Sequence, residues 1–391
     1  MTDTRRHRRR LAERLKAAGI LTDPKLRAAV EATPREEFLT PGIFLPTDSG
    51  RWHPVTREAS SAAEWAEIAY REESLATQLD GHLTADQTTT TVEGNPTSSS
   101  TTPTTVVGMI EQLGLNDGDT VLEIGTGTGY STALLCHRFG EDQVTTVEVD
   151  PAVAARADAA LESVGHSTWT VTGDGLLGHP RRAPYNGVIC TCAVRRIPHT
   201  WIRQTRPGGT VVTTLAPGAW SYGTALAKVT VNDDGTAEGH IVGRSSFMHA
   251  RAEALPPLTG DLAARAAYAD TERDAKLSPA LLDEWMPAFL AQLTAPGAQL
   301  VKATTAEGQP LLYLFDSARE SFAEFVPNAS GHTVRQGGPV ALWDDLETTL
   351  TAWQSEGSPE ITTVRLHITD RTHRYWIGGH DALRWEHRLT P

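Results

Sequence analysis

The chain has 391 residues, 39% of them hydrophobic, which is more than one core usually absorbs, so two domains are expected. A net charge of −13 argues against a general nucleic-acid binder, because phosphate contacts need clustered Lys and Arg. No apolar run reaches the roughly 18 residues of a membrane span, no apolar core follows the basic N-terminus as in a signal peptide, and three cysteines cannot make a disulfide framework; a cytoplasmic chain is expected.

Residues 5–10, RRHRRR, read as the solvated start of a first helix, with a landing site for an acidic peptide as the sharper reading. Leu11, Leu15, Ala18 and Ile20, then Leu26, Ala29 and Val30, have helical spacing. Residues 41–105 read as loop-rich, with one helical patch in AAEWAEIAYREE. A helix over 106–114 is expected, capped by Thr102 or Thr104 beside Pro103. Directly before it stands PTSSSTTPTTVV, a run of hydroxyls that suits either a polar linker or part of a site; it lacks the glycines common in linkers.

Strands and helices then alternate. TVLEIG, QVTTVEVD, TWTVTGD, YNGVICTCA and TVVTTLAP read as strands, and YSTALLCHRFG, PAVAARADAALESVG and IPHTWIRQTRPGG as helices. That order predicts an α/β, doubly wound parallel sheet. Cys190 and Cys192 lie in an apolar strand, so core packing is expected of both. After about residue 217 the pattern changes. A hairpin turning at Asp234–Gly235 is expected, then a Pro-rich linker at 253–260. A smaller α+β module follows, with helices to about 295, strands near 299–305, 310–316 and 320–326, a helix in PVALWDDLETTLTAWQSEG, and a last hairpin buried through Val364, Leu366 and Ile368. His367, His373, His380 and His387 lack ligand spacing and read as surface histidines, so no metal site is expected. The expected domains are 1–105, a helical and covering segment; 106–250, the sheet core; and 256–391, an accessory module.

VLEIGTGTGY places Gly125, Gly127 and Gly129, with Thr126 between them, at a strand-to-helix turn. The spacing is G-x-G-x-G, not the dinucleotide G-x-G-x-x-G, and it suits a tight turn whose backbone touches a ligand. Glu123 precedes the loop. Glu148 ends the next strand with Val149 beside it, and a carboxylate there can take both ribose hydroxyls. Gly173, Asp174 and Gly175 end the third strand, where a carboxylate can accept from an exocyclic adenine amine. Three acids around one loop would repel a pyrophosphate, and they suit a nucleoside with a cationic sulfonium, S-adenosylmethionine.

ATPREEFLTP, VLEIGTGTGYSTALL, VEVDP, GDG, YNGVICTCAVRRIP and RPGGTVV together resemble the protein-L-isoaspartate O-methyltransferases, in that family's order, over roughly residues 11–250. The resemblance implies a Rossmann-like methyltransferase sheet and a carboxyl O-methyltransferase that takes S-adenosylmethionine. It also implies that a hydroxyl two residues before a proline closes over the substrate carboxylate; here that position is Thr101, with Ser100 and Ser99 as neighbours. Backbone groups near Thr191–Val194 are expected to form the opposite wall. Two departures, a longer segment before the glycine loop and about 140 added C-terminal residues, resemble a subgroup that modifies ribosomally synthesised peptides. SSFMHARAE and TVRQGGPVALWDDLE are similar to segments of that subgroup. It implies methylation of an ordinary Asp in a modified precursor peptide, leading to aspartimide or isoaspartate. Repair of isoaspartyl residues, a small-molecule carboxyl methyltransferase and a non-catalytic peptide-binding scaffold are the alternatives. Oligomeric state is left open.

Overall fold

The computed structural model describes residues 4–389 apart from 256–257, 259–261, 305–307, 309, 330 and 380. The chain divides into two compact units. One comprises Met1–Cys192, Pro198–Thr213 and Thr230–Gly235; the other comprises Ala193–Ile197, Thr214–Val229 and Thr236–Pro391.

The first unit opens with α1 (Arg5–Ala17) and α2 (Pro24–Ala32). Leu11 and Leu15, then Leu26, Ala29 and Val30, are buried at the expected helical spacing, whereas Ala18 lies past the end of α1 and is exposed. The segment expected to be loop-rich is instead an antiparallel sheet of β1 (Gly42–Pro46), β2 (Trp52–Thr56), β3 (Leu75–Leu79) and β4 (Pro96–Ser100), in the order β2-β1-β3-β4. Between β2 and β3 lies α3 (Ala62–Ala69), which begins in a Ser61–Glu64 capping box. The strands are only five residues long, and β4 is wholly polar apart from its proline. In β4 Ser98 and Ser100 are buried while Ser99 between them is half-buried, so the two-residue period is real, but near-uniform Ser and Thr hide it from a hydrophobicity pattern.

The hydroxyl run is therefore a strand paired with β3, and Leu75 and Ala76 face Ser100 and Ser99 across the ladder. It leads into α4 (Pro103–Leu113). Thr102 occupies the cap position but its side chain makes no cap bond; the Glu72 carboxylate accepts from the Thr104 amide instead, at 3.0 Å.

The parallel sheet follows: β5 (Val121–Ile124), α5 (Tyr130–Phe139), β6 (Val144–Glu148), α6 (Pro151–Ser163), β7 (Trp169–Thr172), β8 (Tyr185–Val194), α7 (His199–Gln204) and β9 (Thr205–Leu215). β5 pairs in parallel with both β6 and β8, and β6 with β7, giving the order β8-β5-β6-β7. β5, between β8 and β6, is buried at all four positions, as a strand covered on both faces must be. Asp150 caps α6, with Pro151 at its first turn.

β10 (Ala225–Val231) and β11 (Ala237–Arg244) flank the expected turn, where Gly235 has φ +78°. The linker expected at 253–260 falls partly outside the described residues. Beyond it come α8 (Leu262–Arg265), β12 (Thr271–Asp274), α9 (Trp285–Thr294), β13 (Gln299–Thr304), β14 (Pro310–Asp316), β15 (Ser321–Asn328), β16 (Gly331–Gly337), α10 (Leu342–Ser355), β17 (Arg365–Ile368), β18 (Thr372–Trp376) and β19 (Arg384–Arg388). β12 and β16 join the three expected strands in a sheet ordered β12-β16-β15-β14-β13. Both escaped sequence reading because TERD and GHTVRQG carry almost no apolar residues. Val364, Leu366 and Ile368 are buried as expected, and β19 adds a third strand beside β18.

The histidines of this region need correcting. His373 is fully buried, with Nε2 hydrogen-bonded to the Ile197 carbonyl at 3.1 Å and Nδ1 to the Tyr375 hydroxyl at 3.3 Å. His387 Nε2 meets the Leu293 carbonyl at 2.7 Å, and burial lowers its pKa. His367 is half-buried, and His380 lies outside the described residues. Their neighbours' apolar alternation carried two of these rings inward, where a carbonyl satisfies each. Among the described residues no group of three His, Cys, Asp or Glu is placed to hold a metal ion, and no helix is long and apolar enough to cross a membrane.

Phe325 on β15 meets the ring of Trp343 on α10 edge to face at 4.7 Å, and both are buried. Phe325→Ala should therefore cost about 3–5 kcal/mol, read as a lower urea midpoint.

Candidate functional site

The site is built at the carboxyl edge of the parallel sheet, where β5 turns into α5. Gly125 has φ +90°, and a Cβ placed there would stand 2.8 Å from Thr191 Oγ1. Glycine is required on both counts. Thr191 Oγ1 donates to the Gly125 carbonyl at 2.5 Å and to the Ile124 carbonyl at 3.2 Å, so one hydroxyl from the end of β8 pins the start of the turn. The Gly129 amide closes the turn onto the Thr126 carbonyl at 2.9 Å, and Thr126 Oγ1 meets Thr146 Oγ1 at 2.6 Å.

Glu148 is 7% exposed at the end of β6. Its Oε2 accepts from the Gly127 amide at 2.9 Å and its Oε1 from the Asp150 amide at 3.1 Å. These bonds fix the carboxylate's rotamer, and each oxygen keeps acceptor capacity for a further donor. Val149 beside it is 44% exposed, an apolar surface next to a fixed carboxylate. The Gly173 amide reaches back to the Glu148 carbonyl at 2.8 Å. Asp174 is exposed and caps the short turn at Gly175 through a 2.9 Å bond from the Leu176 amide. Buried Trp201 on α7 donates Nε1 to the Gly175 carbonyl at 2.8 Å, and Thr200 donates to the Leu176 carbonyl at 2.6 Å. The sequence reading had overlooked Trp201; a lone Trp in a short amphipathic stretch was its only signal.

Glu123 departs from its expected position. It is fully buried behind the loop, where Thr132 and Thr146 donate to Oε2 at 2.5 and 2.8 Å. Burial raises its carboxyl to about 7. Glu123 holds α5 and β6 to β5; Gly125 and Gly127 are partly exposed, Asp174 is exposed, and Glu148 is buried beside them.

The hydroxyl strand is organised by a residue the sequence showed only as part of PREEF. Arg35 is wholly buried. Its guanidinium donates to the carbonyls of Ala69, Arg71, Glu73, Ser100 and Thr101 at 2.8–3.1 Å, and its Nε to Ser100 Oγ at 3.2 Å. Burial lowers its pKa, yet a guanidinium remains charged. Ser100 is thereby turned into the interior. Ser99 Oγ accepts from Ser74 at 3.2 Å, and the Ser99 carbonyl lies 3.6 Å from where a Gly127 Cβ would be, so β4 runs alongside the glycine loop. Thr101 gives its carbonyl to Arg35; its half-buried hydroxyl has no hydrogen-bond partner among the described residues.

A parallel sheet with a glycine turn, an acid closing the second strand and an Asp-capped turn after the third defines a nucleoside-binding sheet of the methyltransferase type. The sequence model of the family Protein-L-isoaspartate(D-aspartate) O-methyltransferase (PCMT) matches residues 55–252, half of the chain, and the chain belongs to that family. It is 38% identical over 133 residues to the protein-L-isoaspartate O-methyltransferase of Ignicoccus hospitalis, covering 34% of this chain but only 62% of the relative. It is 32% identical over 220 residues to protein-L-isoaspartate O-methyltransferase 2 of Pelobacter propionicus, covering 56% of this chain and 78% of that one. A solved protein-L-isoaspartate O-methyltransferase is similar in fold, with TM-score 0.53 and 22% identity, over 97% of this chain and 99% of its own. That likeness continues past residue 252, so the C-terminal region is not peculiar to this chain.

Glu123 offers a test. In the unfolded chain it ionises at the ordinary value of 4.5, so the stability gained from the folded, protonated carboxyl is full below about 4.5 and is lost as pH rises through about 7. The loss should be roughly 3 kcal/mol. The urea midpoint should fall between about pH 5 and pH 8 in the wild type, and Glu123→Gln should flatten that fall.

Proposed function

We propose that the chain transfers the methyl group of S-adenosylmethionine to a peptide carboxylate, that of an isoaspartyl residue. The cradle fits this donor. Gly125 leaves room that any side chain would fill, Glu148 is held as an acceptor for the ribose hydroxyls, and Val149 and Asp174 flank the place for adenine. The donor supplies an electrophilic sulfonium methyl.

The substrate carboxylate is ionised at neutral pH, so no general base is needed. The protein's task is placement and exclusion of water, with reacting atoms about 3–3.5 Å apart. The observation that carries the assignment is the free hydroxyl of Thr101 directly after β4, a strand whose own hydroxyls are engaged and whose Ser99 carbonyl approaches Gly127. Thr101 orients the carboxylate by donating to it. Ser100 and Ser99, expected as partners, serve the strand instead: one is bound to Arg35, the other to Ser74. The methyl ester has a better leaving group than the carboxylate. The next backbone nitrogen attacks it, methanol leaves, and a five-membered succinimide forms.

A second reading is a dedicated precursor peptide whose ordinary Asp is methylated, with residues 256–391 holding the peptide. It rests on β4, where Ser98, Ser99 and Ser100 precede Thr101. The same ring closure is reached from an aspartyl β-carboxylate, so the core chemistry is common to both.

Mass spectrometry of methyl transfer to a generic isoaspartyl peptide tests the first reading; a gain of one methyl is expected. Transfer only to an Asp-containing precursor peptide would replace it with the second, and transfer to neither would sink both. Thr101→Val should lower kcat/KM by about 10–100-fold while S-adenosylhomocysteine binds as before. Ser100→Ala should cost stability of about 1 kcal/mol with kcat/KM nearly kept. The reverse pattern would move the role to Ser100.

A further inference from the structure

Cys190 and Cys192 stand two apart on β8, so their side chains share one face of the strand. Their Sγ atoms are 3.3 Å apart. Cys190 is fully buried, and Cys192 is partly exposed, contrary to the expectation that both are core. The residue between them is Thr191, whose hydroxyl pins Gly125. The β5–β8 ladder ends at Ile124 and Cys190, so Thr191 and Cys192 lie alongside the glycine loop itself, with Cys192 Sγ 3.9 Å from the Gly125 Cβ position.

We infer that this pair is an oxidative modification site, cross-linked by a peroxide, and that the cross-link disturbs the methyl-donor cradle. The inference rests on the donor site proposed above. The partly exposed Cys192 thiolate attacks the peroxide oxygen, the O–O bond breaks, and a sulfenic acid and hydroxide form. The Cys190 thiol then displaces the sulfenic oxygen as water. Overall, two thiols and one hydrogen peroxide give one disulfide and two waters.

Closing the bond brings the sulfurs to about 2.05 Å. Two residues of extended strand span about 6.7 Å, near the ~6.8 Å upper limit for bridged Cα atoms, so the strand must pucker at Thr191. The hydroxyl that holds Gly125 then moves with it. A bond closed under strain is readily reduced, which makes the modification reversible. Cys136 provides an internal control, since burial raises its thiol to about 12 and keeps it unreactive.

The test treats the full chain with hydrogen peroxide, quenches the peroxide, unfolds the chain in urea, alkylates the remaining thiols without reduction, and weighs the peptide containing residues 190–192. In parallel, calorimetry measures S-adenosylhomocysteine binding before oxidation, after it, and after dithiothreitol. The expected result is loss of two hydrogens from that peptide, alkylated Cys136, and affinity lowered at least about tenfold and restored by the reductant. Cys192→Ser should bind as the wild type does and keep its affinity under peroxide, and Cys190→Ala should do the same if the serine variant fails to fold. Separate alkylation of both thiols, sulfinic acid at Cys192 without a cross-link, or a cross-link with unchanged affinity would each overturn the inference. Absence of binding in the untreated protein would instead overturn the donor reading, and the peptide mass would still decide whether the cross-link forms.

Discussion

One buried cation organises the hydroxyl strand of the first unit. Among the described residues Arg35 has no carboxylate within hydrogen-bond reach; its charge is solvated by five backbone carbonyls and a serine hydroxyl. An unpaired buried charge is tolerable only when its donors are satisfied, and here the planar fork does this by converging the end of α3, the start of β3 and the end of β4. Around it Tyr70 donates to Glu36 at 2.5 Å and to nothing that competes with the guanidinium, while Glu72 caps α4. The stretch from Ser98 to Pro103 is thus held from several sides, so the position of Thr101 is set by Arg35 rather than by its own side chain.

The glycine turn is fixed by comparable means. Thr191 holds the Gly125 carbonyl, Glu148 holds the Gly127 amide, and Trp201 holds the Gly175 carbonyl. Each partner is a side chain from a neighbouring strand or helix, so the cradle is rigid before anything binds. Pre-organised acceptors and donors lose little entropy on binding. The cost of this rigidity is sensitivity: a shift in one strand end is passed directly to the loop.

The parallel sheet was legible because its strands are apolar runs between helices with clear caps, and the glycine turn because φ values near +90° leave a residue signature. The antiparallel sheet at 42–100 was not, since strands such as PTSSS and LATQL pair through the backbone and carry no hydrophobic alternation. The burial of Ser100 and Glu123 was not legible, because residue type shows what a side chain can do, whereas the direction it points depends on partners distant in sequence. Arg35 lies 65 residues from Ser100. That Asp174, Glu148 and Thr191 lie at one sheet edge follows from topology, because the ends of parallel strands converge.

A carboxylate nucleophile needs no activation, so differences between members of such a family must lie in how the carboxylate is held. A threonine at position 101 keeps the hydroxyl but adds a methyl on Cβ, which restricts χ1. With the backbone of Thr101 already tied to Arg35, the hydroxyl has few directions available. Such a group orients one carboxylate geometry well and adapts poorly to others. A repair activity on many unfolded chains gains from adaptability, and a single peptide gains from stiffness. The balance between the two readings therefore turns on the rotamer freedom at Thr101: if Thr101→Ser widens the range of accepted peptides while leaving donor affinity alone, stiffness is what narrows the substrate choice.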